Sequence, residues 1–136
     1  MTGIADTGFI VAFAHKSDAH HEWAAGVGAR ITEPLLTCEA VLAESAFHLE
    51  SAAYVLSLVE TGLLRLAFNA SEHVASRVRL ADKYADRRPD FADLCLIRMS
   101  ELYPRHVVLT TAAADFQVYR RHQREAIPLL VPPALR

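Results

Sequence analysis

Excess basic charge, abundant aromatic residues, long apolar runs and patterned cysteine are all missing from this sequence, and each absence removes a class of function. Lysine and arginine total 14 against 16 aspartate and glutamate, a formal net charge of -2. The chain as a whole therefore does not attract a polyanion, and nucleic-acid contact would have to rest on a local basic rim or on bound metal. Aromatic residues are 8% of the total, too few for an extended base-stacking platform. The N-terminus lacks the basic and apolar regions of a secretory signal, and no uninterrupted apolar stretch is long enough to span a bilayer. The expectation is a cytoplasmic protein with no membrane contact. Cys38 and Cys95 stand outside any C-x-x-C pattern in apolar segments, which reads as two reduced core thiols. His20 and His21 are adjacent and the other histidines scattered, so no zinc spacing arises.

What is present is an alternation of short apolar runs and amphipathic segments. Residues 2–5 read as a buried strand ending at Asp6, with Thr7-Gly8 as a turn and a helix starting at Phe9. Asp18 is the expected cap of a second helix running to about Arg30; Pro34 bars continuation, and Leu35-Leu36-Thr37 reads as a strand. Apolar residues from Val41 to Leu49 recur at helical spacing, and Ser51 is placed to cap a helix closed by Gly62. Leu63 to Phe68 predicts a strand, Ser71 the cap of a helix through Tyr84, and Pro89-Asp90 the start of a helix over Phe91–Leu102. His106 to Thr110 is a β-branched run behind Pro104; a short helix around Asp115 to Tyr119 and a strand near Ala126 to Leu130 follow. With 52% hydrophobic residues in 136 and no repeat or linker, this predicts one domain over residues 1–136. The alternation predicts an α/β fold, a short parallel central sheet covered by helices on both faces. Ligands of such sheets bind beyond the carboxyl ends of the strands, where Asp6 and Thr110 fall.

The chemistry lies in carboxylates. Asp6 suits either a helix cap or a ligand at the strand end. Glu44 lies in an amphipathic helix, on its wet face or turned into a site. Asp90 is placed to cap its helix and Asp93 falls in the first turn, where the macrodipole favours negative charge; their spacing of three also puts both carboxylates near one face. If these regions converge, the acidic pocket requires a cation, and a hard ion such as Mg2+ or Mn2+ takes oxygen ligands of this kind. A bound ion of that type activates water and neutralises charge on a phosphodiester.

Ala5-Asp6-Thr7-Gly8, Leu36 to Glu44, Tyr84-Ala85-Asp86 to Pro89-Asp90-Phe91-Ala92-Asp93-Leu94, and Leu109-Thr110 to Asp115-Phe116 together resemble a PIN domain, in particular the VapC-type toxin ribonucleases. The resemblance implies a three-layer α/β/α sandwich and a Mg2+- or Mn2+-dependent ribonuclease. It implies metal ligands at Asp6, Glu44 and Asp93, assistance from Asp90 and Asp115, and supporting hydroxyls at Thr7 and Thr110. It also implies an antitoxin partner and a homodimer. One departure stands out: Ala112 occupies a position where such proteins usually carry an aspartate.

Arg87 and Arg88 precede the Asp90 helix and are candidates for RNA phosphate contact, within a wider set of Arg98, Arg105, Arg120, Arg121 and Arg124 in the C-terminal half. Val55, Leu56, Leu58 and Val59, beside the Val41–Leu49 segment, offer more apolar surface than one internal face needs, as a dimer surface or antitoxin groove would. The rival to a nuclease is a catalytically weakened module that binds RNA or a protein without cleavage. A phosphotransfer domain with Asp6 as nucleophile fits less well, because Asp6-Thr7-Gly8 lacks the second nearby aspartate of such phosphatases.

Overall fold

A computed structural model describes residues 2–136. Strands β1 (Gly3–Ala5), β2 (Leu35–Thr37), β3 (Leu64–Leu66), β4 (Val107–Leu109) and β7 (Leu129–Leu130) form a single parallel sheet in the order β3-β2-β1-β4-β7. Two further short strands, β5 (Arg120–Arg121) and β6 (Glu125–Ala126), pair antiparallel as a hairpin outside it. Ile4 of β1 pairs with Leu36 on one side and Val108 on the other. Helices α1 (Thr7–Ala14), α2 (His21–Ala29), α3 (Glu39–Leu49), α4 (Ala52–Glu60), α5 (Val74–Lys83), α6 (Phe91–Leu102) and the single turn α7 (Ala113–Phe116) flank the sheet, giving the expected α/β/α sandwich. No helix among the described residues is long and apolar enough to cross a membrane.

The strands are apolar because both faces are covered: Ile4, Leu35, Leu64, Val108 and Leu109 are all buried, and a strand enclosed on both sides reads as a plain apolar run. Helix α6 is the central helix, with Ala92, Leu94, Cys95, Leu96, Ile97, Met99 and Ser100 all buried. Its far end is closed by Arg121, whose Nη1 donates to the carbonyls of Ser100 (3.2 Å) and Pro104 (3.0 Å). A cation there satisfies free carbonyls and complements the helix dipole. Trp23 packs edge-on against Phe9 at 5.7 Å, between helices. Cys38 and Cys95 are buried free thiols within hydrogen-bonding reach of each other.

Several expected boundaries move. Asp18 does not cap α2; its carboxylate accepts the His20 N–H at 2.8 Å in a turn, and α2 starts without a side-chain cap. Ser71 caps nothing: Asn69 accepts its N–H at 3.2 Å and opens a 3-10 turn over Ala70–His73, from which α5 continues. Ser51 does cap α4, accepting the Tyr54 N–H at 3.0 Å, and Gly62 takes φ 90° just past its end. The expected final strand is two pieces, Glu125–Ala126 in the hairpin and Leu129–Leu130 in the main sheet. Of the supposed surplus apolar residues, Val55 and Leu58 belong to the core, while Leu56 is 59% exposed.

Candidate active site

The chain leaves β1 toward β2 and β3 on one side, then returns to lay β4 and β7 on the other. That reversal opens a crevice at the carboxyl ends of β1 and β4, the usual ligand position in open parallel sheets. Asp6 follows β1 directly and its N–H is held by the Leu109 carbonyl of β4 at 3.0 Å. Asp6 Oδ1 accepts the Thr7 N–H at 2.7 Å and so caps α1. Asp6 Oδ2 accepts the Thr110 hydroxyl at 2.7 Å. Thr110 in turn accepts the Ala112 N–H at 2.9 Å, which ties down the loop after β4.

From α3, Glu44 accepts the Thr7 hydroxyl at 2.7 Å and lies within hydrogen-bonding reach of Asp90. Asp90 Oδ1 accepts the Asp93 N–H at 2.9 Å, capping α6. The Tyr119 hydroxyl donates to Asp93 Oδ2 at 3.0 Å. Asp6, Thr7, Glu44, Asp90, Asp93, Ala112 and Asp115 thereby line one cavity of about 380 Å³, with Gly8, Val11, Asp18, His48 and Thr111 completing its wall. All five carboxylates expected at the site are in that cavity.

Electrostatics follow from the crowding. Burial pushes the Asp6 carboxyl above its usual range, and Asp90 and Asp115 add repulsion that its bonds to Thr110 and Thr7 only partly offset. Glu44 is raised by burial and by Asp90 and Asp6, against the Thr7 bond. Asp93 is pushed up to about 7 by burial, Asp90, Asp6 and Asp115, opposed by the Tyr119 bond. Of the ion pairs among the described residues, only Arg87–Asp115 touches this pocket, at 3.9 Å on its rim.

The donor set fits a hard divalent cation: every carboxylate offers oxygen, and their mutual repulsion leaves positive charge wanting. The ligands are not drawn into a closed cage, for among the described residues no three acidic, imidazole or thiol side chains form a ready-made metal cluster. Thr7 and Thr110 hold Glu44 and Asp6 by separate bonds. An ion that keeps several waters and takes one or two carboxylates directly suits such an open arrangement.

The basic residues are mostly elsewhere. Arg121 is buried at the end of α6, Arg98 is paired with Glu101 at 3.0 Å, and Arg120 donates to the carbonyls of Gln117 and Tyr119. Arg87 reaches Asp115, whereas Arg88, exposed at φ 50°, does not line the acidic cavity. Two titratable wall residues, Asp18 and His48, carried no functional expectation, nor did Tyr119, which stands behind Asp93. The interval of four between Glu44 and His48 on one helix was the available signal for His48; Tyr119 and Asp18 had none.

A parallel α/β sandwich with clustered carboxylates at its topological switch point has the make-up of a nuclease-type fold. The PIN domain family model matches residues 4–119, and the chain belongs to the PIN domain family. PIN domains are generally nucleases that commonly use divalent metal ions. No curated protein gives a significant match to the chain.

Proposed function

We propose that this protein is a Mg2+- or Mn2+-dependent endoribonuclease, the toxin of a toxin–antitoxin pair, acting in the cytoplasm. The observation that carries the reading is the convergence of Asp6, Glu44, Asp90, Asp93 and Asp115 on one cavity at the sheet's switch point. Asp6, Glu44 and Asp93 would hold the ion. When bound, the cation supplies a hydroxide at neutral pH and neutralises charge gathering on the phosphodiester. Thr110 keeps Asp6 turned into the cavity, and Thr7 does the same for Glu44. Asp90, which lines the same cavity beside Glu44, would assist in placing the ion. Asp115, exposed on the rim with Arg87 beside it, adds charge at the entrance. Arg87, and Arg88 after it in the chain, are the phosphate contacts of the approaching RNA.

The exposed apolar side chains of α3 and α4, Phe47, Tyr54 and Leu56, support a homodimer, and an amphipathic antitoxin segment is the partner that would silence the enzyme. Ala112 supports the second reading, a weakened module that binds without cutting. It sits half-buried in the cavity wall where an added carboxylate would enter the site.

Calorimetric Mn2+ titration together with RNA cleavage separates the two. The nuclease reading expects the chain to bind Mn2+ and cut RNA, Asp6→Asn to abolish binding and slow cleavage by about 100-fold or more, and Ala112→Asp to tighten binding or add an ion. Mn2+ binding without cleavage of any RNA leaves the weakened module. A fully active Asp6→Asn protein would sink the nuclease reading.

A further inference from the structure

We infer that Tyr119 is a positioning residue for the Asp93 carboxylate, an inference that rests on the cation site proposed above. The Asp93 backbone is already fixed, since its N–H is bonded to Asp90 Oδ1 at 2.9 Å in the first turn of α6. What remains free is rotation of the side chain. Tyr119 removes that freedom by donating to Oδ2 at 3.0 Å, which leaves Oδ1 as the oxygen available to the cavity.

The phenol is itself held. Tyr119 is 1% exposed and its ring is clamped edge-on by Phe116 at 5.3 Å and Tyr84 at 5.0 Å. Tyr84 is anchored through its hydroxyl, which accepts the Arg120 N–H at 2.8 Å. The backbone carbonyl of Asp115 accepts the N–H groups of Val118 and Tyr119 at 3.0 and 3.2 Å. The turn that brings Asp115 to the rim therefore also delivers Tyr119 behind Asp93. Hydrogen-bonded partners behind metal-ligating carboxylates fix their orientation, and losing one costs about 10–100-fold in metal affinity or activity.

A buried tyrosine also serves packing, so the test must separate ring from hydroxyl. Mn2+ affinity is measured by electron paramagnetic resonance of the free ion for the unaltered chain, Tyr119→Phe and Ser51→Ala, with the metal-free melting temperature of each. Phenylalanine keeps the ring and its two aromatic neighbours. Ser51→Ala removes the α4 cap, away from the cavity, and reports what a loss of stability alone does. The expected result is Mn2+ binding weakened about 10–100-fold in Tyr119→Phe and unchanged in Ser51→Ala. Equal Mn2+ affinity in Tyr119→Phe and the unaltered chain overturns the inference while leaving the cation site standing, as does an equal loss in Ser51→Ala. No Mn2+ binding by the unaltered chain overturns the cation site, and this inference with it.

Discussion

Two oxygens let one carboxylate meet two partners, so the cap that Asp6 forms does not exclude the ligand role proposed for it. Oδ1 caps α1 through the Thr7 N–H, while Oδ2 meets Thr110 inside the cavity. Asp90 likewise caps α6 and faces Glu44. Cap and site are therefore not rival readings at these positions, and the local signal for one conceals the other. Asp93 carries a testable consequence. Its carboxyl is raised from the ordinary 3.8 to about 7 by burial and neighbouring charge. Between those values the folded chain holds a proton that the unfolded chain has released, so stability falls as pH rises through the window. Asp6 and Glu44 are shifted in the same sense. The metal-free protein should melt at higher temperature near pH 5 than near pH 8. Asp93→Asn should raise the melting temperature at pH 8, and by less at pH 5, where the folded carboxyl still holds its proton. Mn2+ binding should strengthen over the same rise, since the ion competes with the proton. A melting curve of the metal-free chain that is flat over this range would contradict the raised carboxyls.

At the level of elements, the approach of α1 to the loop after β4 sets the cavity's width. A Cβ on Gly8 would stand 2.0 Å from Thr111 Oγ1 and 3.3 Å from its backbone nitrogen. Alanine is worth about 1 kcal/mol in a helix interior over glycine, but overpacking costs about 1–3 kcal/mol, and here backbone as well as side chain must yield. Gly8→Ala should lower stability by roughly 1 kcal/mol in urea unfolding and weaken Mn2+ binding, because Thr110, next to Thr111, orients Asp6. An equally stable variant with unchanged binding would mean that Thr111 simply rotates away. The expected turn at Thr7-Gly8 is instead the first turn of α1, which Asp6 caps; the approach of Gly8 to a loop about a hundred positions later was not legible either, since nothing local encodes it. The same limit divides the elements. Apolar runs such as Leu35-Leu36-Thr37 and Val107-Val108-Leu109 declared themselves because both faces are buried. The β5–β6 hairpin did not, because its turn places His122 and Gln123 at positive φ where glycine or asparagine would be the usual sign. Asp18 and Ser71 misled as caps because turns recruit the same side chains.

Over the whole molecule, acid is gathered at the carboxyl end of the sheet's central strands and apolar surface on α3 and α4. The second feature predicts assembly. Phe47 is 79% exposed, Leu56 59% and Tyr54 38%, all on α3 and α4, whereas Val55 and Leu58 turn inward to the core. Removing a phenylalanine or leucine side chain from water contributes about 1.5–3 kcal/mol each, so a face of this kind gains by meeting its own copy across a two-fold axis, where each exposed residue is counted twice. Phe47 also touches the His48 ring, at 5.6 Å between centroids, and His48 lines the acidic cavity. A second copy seated on Phe47 would thus border the site proposed for RNA. Light scattering at micromolar concentration should report a dimer for the unaltered chain and a monomer for Phe47→Glu. The melting temperature of the dissociated variant should hold close to that of the diluted parent, since Phe47 lies outside the core. A parent chain that is already monomeric would remove the dimer and leave this face to the proposed antitoxin segment alone. Dissociation of Phe47→Glu with RNA cleavage intact would show that each copy carries a complete site, as the chain's own five carboxylates around one cavity lead us to expect.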